Sequence, residues 1–251
     1  MNPEAIPEGR LYNDLAWLWP LMSPPEEYAE EAQCWRRILF EMLGPERHHV
    51  LELGVGGGHN LSHLTQDCDA TAVDISSAML KHSVALNPGV EHIVGDMRCI
   101  RTGRTYEAVL IHDAISCITT ARDLGSVFTT AAIHLEAGGL LIVAPEFFPG
   151  SISLPRIECT THSRGDTTLT YVEFIHDPNP MDTMLEVLFT YYISKAEGLQ
   201  IEHDRMRVGF FPRPTWRKLM QDAGFDVAER SFHLQESGID YTLFLGTFRG
   251  A

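Results

Sequence analysis

The chain has 251 residues, 44% of them hydrophobic and 21% charged, which is enough for one large domain with an apolar core. Its 34 acidic and 19 basic residues give a net charge of −15, which excludes the clustered basic face of a nucleic-acid-binding protein. The sequence has no apolar stretch long enough to span a membrane, no signal-peptide pattern and no zinc-binding cysteine spacing, so we expect a cytoplasmic protein without a metal site.

The N-terminal segment, residues 1–46, is predicted to be helical. Pro24 and Pro25 suit a helix start, and acidic residues follow them in the first turn. Gly44 suits the end of that helix. The segment is rich in Trp and Tyr, which favours packing against the rest of the domain and also allows a lid over a bound ligand.

Short apolar runs alternate with helical segments between residues 47 and 150. The runs predict five strands, in order HHVLELG, ATAVDIS, VEHIVGD, YEAVLIHD and LLIVAPEF. We expect Gly138 and Gly139 to end the helix before the fifth strand. Apolar strands separated by helices indicate a parallel sheet buried on both faces, and right-handed crossovers then give a Rossmann-like α/β fold.

The period of the apolar residues changes to two after Pro149. Residues 151–211 are therefore predicted to form an antiparallel strand insertion on the substrate side. Residues 212–251 are predicted to complete the core with a helix and two strands, which join at about Gly238.

A glycine-rich turn follows the first predicted strand. Glycines stand at positions 54, 56 and 58, and Glu52 lies in the strand before them. Glycine allows the backbone to turn sharply and a ligand to approach without interference from a Cβ atom. A dinucleotide-binding fingerprint would need a further glycine at position 59, where this chain has His59.

Two more acidic residues end the next two predicted strands. Asp74 follows Gly54 by twenty residues and is suited to accept hydrogen bonds from ribose hydroxyls. Asp96 ends the third strand and is suited to meet an adenine edge. Because open α/β sheets bind ligands at the carboxyl ends of their strands, these acids and Glu52 together predict a ligand site at that edge.

These segments resemble the class I S-adenosylmethionine (SAM)-dependent methyltransferases. The likeness covers about residues 47–146 and rests on VLELGVGGG, AVDIS, GDMR, YEAVLIHDAISCI and HLEAGGLLIVAPE. It implies a seven-stranded, mostly parallel sheet with helices on both faces and a last, antiparallel strand beside the fifth. It also implies SAM as cofactor and S-adenosylhomocysteine (SAH) as product, with Asp74 at the ribose and Asp96 near the adenine.

A narrower resemblance extends to the N-terminal segment. LYND (11–14) and YAEEA (28–32) are similar to segments that cover the cofactor in aminosugar N-methyltransferases acting on nucleotide sugars, which also carry an antiparallel meander after strand five. At Cys117 the chain departs from those enzymes, some of which have a polar ring there, usually His. The resemblances imply this cofactor-binding set: Tyr12, Tyr28, Glu52, Gly54, Gly56, Gly58, Asp74, Ile75, Met79, Asp96, Met97 and His112.

The candidate catalytic bases are His112 and Glu146, which follow the fourth and fifth strands. His112 is also placed to contact the methionyl end of the cofactor, so both roles stay open for it. His162, His176 and Arg207 of the insertion are candidates for contacting an acidic or phosphate-bearing substrate, although each is more often a surface residue.

The sequence therefore predicts methyl transfer from SAM, by in-line displacement, to a nitrogen or oxygen atom of a small molecule such as an amino sugar or another natural-product metabolite. The alternative is a SAM-binding regulatory or partner subunit without activity. A nucleic-acid methyltransferase is disfavoured because HDAISC stands where an (N/D)-P-P-(Y/F) motif is expected. A nicotinamide dehydrogenase is disfavoured because His59 stands where the third glycine of a dinucleotide-binding turn is expected. The N-terminal aromatic residues permit a homodimer without requiring one.

Overall fold

The computed structural model describes residues 6–235, 238 and 240–250. The strands of this part of the chain are β1 (His48–Leu53), β2 (Cys68–Asp74), β3 (Glu91–Val94), β4 (Tyr106–Ile111), β5 (Leu135–Val143), β6 (Arg156–Arg164), β7 (Thr167–His176), β8 (Met184–Lys195), β9 (Gly198–Gly209), β10 (Phe225–His233) and β11 (Asp240–Phe248). Its α-helices are α1 (Trp19–Met22), α2 (Ala29–Leu43), α3 (His59–Ser62), α4 (Ser77–Leu86), α5 (Ala121–Ile133) and α6 (Arg213–Asp222).

A seven-stranded sheet runs through the centre of the molecule in the order β10-β11-β5-β4-β1-β2-β3. Strands β1 to β5 pair in parallel, whereas β11 is antiparallel to both β5 and β10. The predicted Rossmann-like α/β fold is therefore confirmed, including the antiparallel last strand beside the fifth. The predicted join of the last two strands contains Gly238, while positions 236, 237 and 239 lie outside the described residues.

Helices cover the sheet on both faces. On one face, Phe128 of α5 and Trp216 of α6 are fully buried against strand residues such as Val109. On the other face, Trp35 and Ile38 of α2 pack over the neighbouring positions of the same strands. Because consecutive strand residues point to opposite buried faces, the strands need apolar residues at nearly every position, and this produces the continuous apolar runs of the sequence.

The second sheet is an antiparallel meander in the order β6-β7-β8-β9, as the two-residue period predicts. Its inner face is apolar and packs against the N-terminal segment through residues such as Leu11 and Leu18. The buried Asp204 of β9 accepts hydrogen bonds from the backbone amides of Arg10 and Leu11, at 2.9 and 2.8 Å. The meander thereby holds the N-terminal segment next to the central sheet.

The N-terminal segment is less regular than predicted. Two 3-10 turns, Arg10–Tyr12 and Ala16–Leu18, precede the short α1, and a third, Pro25–Tyr28, leads into α2. Pro20, Pro24 and Pro25 cannot donate backbone hydrogen bonds, which limits regular helix before residue 29. The long helix is correctly predicted, and Gly44 lies directly after its end.

The prediction that Gly138 and Gly139 end a helix is wrong. Helix α5 ends at Ile133, and the two glycines lie inside β5. The pairing of β4 with β5 shifts its register at this point, and Gly138 has a φ of +85° that a residue with a Cβ rarely adopts. The glycines therefore form a bulge in the strand. Among the described residues, no helix is both long and apolar enough to cross a membrane.

Candidate active site

The glycine turn joins β1 to α3 at the carboxyl edge of the sheet. Gly54, Gly56 and Gly58 all have positive φ, at 78°, 54° and 77°, so glycine is needed at each position. The carboxylate of Asp74 accepts hydrogen bonds from the amides of Gly56 and Ser76, at 2.8 and 2.7 Å. One side chain thus fixes both the glycine turn and the turn after β2, and its remaining lone pairs stay available for a ligand.

A cavity of about 320 Å³ lies above this turn. Its floor comes from the ends of β1, β2, β3 and β4, and its roof comes from the N-terminal segment. The lining residues are Tyr12, Trp19, Tyr28, Glu52, Gly54, Val55, Gly56, Gly57, His59, Asn60, Asp74, Ile75, Ser76, Met79, Gly95, Asp96, Met97, Arg98, His112, Asp113, Ala114, Cys117, Ile118, Thr119 and Asp123.

One end of the cavity is apolar and suits an adenine ring. Ile75 is 68% exposed there, although it is a large apolar side chain. Met97 and Met79 line the same space. Asp96 stands at the rim, where Arg98 binds both of its oxygens. This ion pair lowers the pKa of Asp96, so its carboxylate stays charged.

The opposite end of the cavity holds polar atoms without partners. Glu52 is buried, and its Oε2 makes no hydrogen bond. Both polar atoms of the buried Asn60 side chain and the Nε1 of Trp19 are also unpaired. Burial raises the pKa of Glu52 to about 8. Because unpaired buried polar groups are costly, this end is built for a polar ligand such as an amino-acid group.

His112 links the sheet to the roof of the cavity. Its Nε2 lies 2.5 Å from Glu31 of α2, and its Nδ1 lies 3.1 Å from Asp113. Burial lowers the pKa of His112, but the charges of Asp113 and Glu31 outweigh that effect and raise the pKa well above its ordinary value. Both ring nitrogens of His112 are thus engaged by carboxylates, an arrangement that stabilises the imidazolium form.

Tyr12 and Cys117 cover the side of the cavity that faces the meander. The side chain of Cys117 is accessible from the cavity, but the surrounding protein displaces bulk water and raises the pKa of its thiol to about 12. The carboxylates of Asp113 and Glu146 add to this increase. The thiol therefore stays protonated and is unsuited to act as a nucleophile.

Glu146 follows β5 and lies beside this cavity, outside its lining residues. Its side chain is accessible from the open cleft, while the surrounding protein displaces bulk water and raises the pKa of Glu146 to about 8. The carboxylates of Asp113, Glu173 and Glu158 act in the same direction. A carboxyl group in this range is able to exchange a proton near neutral pH.

The comparisons with known proteins agree with this geometry. Residues 50–139 match the family described as "Methyltransferase domain". The dTDP-3-amino-3,4,6-trideoxy-alpha-D-glucopyranose N,N-dimethyltransferase of Streptomyces venezuelae is 31% identical over 205 residues, which cover 80% of this chain and 85% of that relative. This chain belongs to the class I SAM-dependent methyltransferases, close to the aminosugar methyltransferases. The methyltransferase acts on small molecules, with SAM as cofactor and SAH as product.

Solved structures share its fold. The sugar N-methyltransferase KedS8 from Streptoalloteichus sp ATCC 53650 superimposes with a TM-score of 0.79 at 23% identity, over 99% of this chain and 96% of that chain. The SAM-bound amino pentose methyltransferase CalS10 from Micromonospora echinaspora superimposes with a TM-score of 0.76 at 20% identity, over 88% of this chain and 91% of that chain.

The cavity of this methyltransferase fits SAM along its length. The apolar end would hold the adenine, the spare lone pairs of Asp74 would accept hydrogen bonds from the ribose hydroxyls, and the unpaired Oε2 of Glu52 would accept one from the ammonium group. Eleven of the twelve residues predicted to bind the cofactor line this cavity. Gly58 does not line it: a Cβ there would lie 2.3 Å from the Oγ of Ser83, so this glycine allows close packing on α4.

Sequence reasoning missed several lining residues. Trp19 stands directly over the glycine turn, because a Cβ on Gly57 would lie 2.4 Å from its Nε1. Asn60 lies two residues after the last glycine of the turn, and Arg98 lies two residues after Asp96. Their closeness to these two motifs could have identified both as lining residues. The position of Trp19 depends on how the N-terminal segment folds back, which the local sequence does not specify.

Of the three predicted substrate contacts of the insertion, His176 and Arg207 stand on either side of Glu186 on neighbouring strands, whereas His162 pairs with Leu169 at another part of the sheet. His176 pairs with Glu186 at 3.2 Å, and Arg207 lies 3.6 Å from Glu8, so both are already bound to carboxylates. His162 makes no hydrogen bond or ion pair with a described residue and lines a separate pocket.

Proposed function

We propose that this methyltransferase transfers the methyl group of SAM to the amino group of a sugar or of a closely related amine. Two relatives support the choice of acceptor, since their names describe N,N-dimethylation of dTDP-linked amino sugars in Streptomyces venezuelae and Streptomyces fradiae. The second support is the charge of the cleft beside the cofactor cavity, because an aliphatic amine enters as a cation at neutral pH.

The observation that carries the proposal is a group of carboxylates in the cleft beside the cofactor cavity. Asp113 lines the cavity, and Glu146 has Glu173 and Glu158 near it on the meander. Asp113 pairs with His112, and Glu158 pairs with Arg156. Glu146 and Glu173 form no ion pair with any described residue.

Unpaired carboxylates in a cleft favour a cationic ligand. Burial raises the pKa of Glu173 to about 7, and the neighbouring charge of Glu158 adds to that effect. An ammonium group bound between Glu146 and Glu173 would return both groups to the charged state. A neutral hydroxyl acceptor offers no such compensation, so the cleft favours nitrogen over oxygen.

Glu146 is the proposed proton acceptor. When bound, SAM supplies an electrophilic methyl group on a sulfonium. The acceptor nitrogen needs a free lone pair, and its ammonium proton passes to the carboxylate of Glu146. His112 is assigned to positioning because both of its ring nitrogens are engaged by carboxylates. The N-terminal segment excludes water from the cavity as a roof.

The cellular setting of this chemistry is also a proposal. The cytoplasm suits a chain whose cysteines are all free, because thiols stay reduced there. The acceptor is expected to be a small molecule rather than a nucleic acid or a membrane component. A homodimer is permitted but not required by the N-terminal aromatic residues, and the division at residues 46, 150 and 211 stays a prediction.

The test is a methylation assay with a matched pair of acceptors. The two acceptors are sugars that differ only in carrying an amino or a hydroxyl group at one carbon. We expect mass spectrometry to detect an added methyl group, together with SAH, only for the amine. Methylation of the hydroxyl sugar alone would contradict the proposed acceptor, while SAH binding without turnover of any amine would favour a non-catalytic SAM-binding subunit.

A further inference from the structure

Two side chains at the polar end of the cofactor cavity carry N–H groups that no described residue accepts. They are the Nε1 of Trp19 and the amide Nδ2 of Asn60, and both atoms are shielded from solvent. Both residues line the cavity, and Asn60 is only 4% exposed. A buried N–H without a partner costs free energy, and the cost is removed when a bound ligand supplies an acceptor.

Trp19 reaches this end of the cavity from the roof rather than from the sheet. It begins α1, and its indole approaches the glycine turn so closely that a Cβ on Gly57 would collide with the Nε1. The φ of Gly57 is not positive, unlike that of the other three glycines of the turn. The missing side chain at position 57 therefore serves the approach of Trp19 and not the path of the backbone.

His59 holds α1 over the turn at both of its ends. Its ring stacks on Trp19, with centroids 5.9 Å apart and an angle of 27° between the planes. It also hydrogen-bonds to the backbone of Ser23, the residue directly after α1. Burial lowers the pKa of His59 to about 4, so the ring is neutral and its single N–H is used on Ser23. His59 thus supports Trp19 and offers no charge to a ligand.

The charges around the cavity restrict how a carboxylate is bound there. The amino-acid part of SAM carries an ammonium group, which Glu52 suits, and an α-carboxylate. Arg98 is the single Arg or Lys among the described residues that line the cavity, and Asp96 binds it through both oxygens. His112 is engaged by carboxylates on both ring nitrogens. Neutral N–H donors therefore have to bind the carboxylate.

We propose that the indole N–H of Trp19 and the amide N–H of Asn60 bind the α-carboxylate of SAM. The Oδ1 of Asn60 is unpaired as well and is available to the ammonium group beside Glu52. One primary amide thus offers a donor and an acceptor to the two charges of an amino acid. Through Trp19 the roof itself recognises the carboxylate, so a cofactor analogue without this group loses a link between the roof and the sheet. This recognition is independent of which acceptor is methylated.

The experiment is a calorimetric titration with three ligands. They are SAH, its decarboxylated analogue, which keeps the ammonium group, and 5′-methylthioadenosine, which lacks both charged groups. Trp19→Phe removes the N–H and keeps an aromatic ring. The matched control is Trp17→Phe, at a position of the same segment that is 43% exposed. We expect wild type and the control to bind SAH at least tenfold more tightly than the decarboxylated analogue, because hydrogen bonds to a charged group are lost with the carboxylate.

The variants separate carboxylate recognition from packing. Trp19→Phe should bind SAH roughly tenfold more weakly than wild type and the other two ligands equally well. Asn60→Asp keeps the size of the side chain but places a negative charge near the carboxylate, so it should also lose the preference for SAH.

The proposal is overturned if folded wild type does not bind SAH, or binds it no more tightly than the decarboxylated analogue. It is also overturned if Trp19→Phe weakens all three ligands by the same factor, because Trp19 would then only pack against the ligand. Circular dichroism establishes that each protein is folded. If Trp19→Phe does not fold, the wild-type preference and its loss in Asn60→Asp decide the question.

Discussion

Two side chains of the cofactor cavity, Asp74 and His112, each contact two separate residues and so connect parts of the chain around the cavity. Asp74 accepts hydrogen bonds from two backbone amides and keeps further lone pairs, which would accept the ribose hydroxyls of SAM. His112 joins α2 to the end of β4 through Glu31 while it neutralises part of the charge of Asp113. Glu52 has no such partner, and its carboxyl group is therefore sensitive to pH and to ligands.

Glu52 is expected to make the stability of the ligand-free protein depend on pH. Burial raises its pKa from 4.5 to about 8, so the folded state holds a proton that the unfolded state releases between these values. The free energy of unfolding should therefore fall as pH rises from 4.5 to 8. Glu52→Gln has no carboxyl group to titrate, so its free energy of unfolding should not show this decrease. The difference between the variant and wild type should therefore shift in favour of the variant by on the order of 3 kcal/mol from the acid to the alkaline end of the range. Denaturant unfolding of both proteins at both ends of the range measures this shift. The same difference in unfolding free energy at the two pH values would refute it.

Glu146 is expected to control the rate of methylation. In the free protein its carboxylate form increases as pH rises through about 8, so the wild-type kcat/KM should rise across the same range. Glu146→Gln should lower kcat roughly 100-fold and remove that increase. Glu173→Gln is the comparison, because the loss of a binding carboxylate should raise KM more than it lowers kcat. An unchanged pH profile in Glu146→Gln would exclude the residue as the proton acceptor.

Among the elements, α2 and the turns before it connect the two sheets. The N-terminal segment packs on the meander through its apolar residues, while α2 packs on the central sheet. Ser76, which caps α4, donates a hydrogen bond to the carbonyl of Tyr12 at 2.5 Å. These contacts place a roof over the cavity that is anchored on several sides.

The contact between Glu31 and His112 is expected to stabilise this roof. The raised pKa of His112 means that the contribution of the pair is fully present below about pH 6.5 and is lost as pH rises through the folded-state pKa. At pH 6, Glu31→Ala should cost about 2 kcal/mol of unfolding free energy and weaken SAH binding. Glu27→Ala, at an exposed position of the same segment, is the control and should cost less than about 0.5 kcal/mol. Equal losses in the two variants would contradict the assignment.

The sequence predicted the repeated elements of the fold better than its exceptions. Buried parallel strands need apolar residues throughout, so β1 to β5 and the order of the glycine turn, Asp74 and Asp96 were recognisable. The bulge at Gly138 was not, because a glycine pair suits a helix end as well as a bulged strand. The roof residue Trp19 and the pair of Glu31 with His112 join distant parts of the chain, and no local pattern specifies such contacts.

At the scale of the whole molecule, cofactor binding should stabilise both sheets together, because the N-terminal segment contacts both of them. SAH at 100 times its dissociation constant should add about 2.7 kcal/mol and raise Tm by roughly 5 to 10 °C in a single transition. The comparison ligand is 5′-methylthioadenosine, which lacks the amino-acid part and should give a smaller shift at equal concentration. Two transitions of which SAH moves only one would show that the sheets unfold separately.

The most direct measurement on this protein is a calorimetric titration of wild type and Asp74→Ala with SAH. The account predicts micromolar binding to wild type and at least a tenfold loss in the variant, about 1.4 kcal/mol for the lost ribose contacts. Circular dichroism of both proteins shows whether they are folded. If folded wild type does not bind SAH, or if Asp74→Ala binds it equally well, the cavity above the glycine turn is not the cofactor site described here.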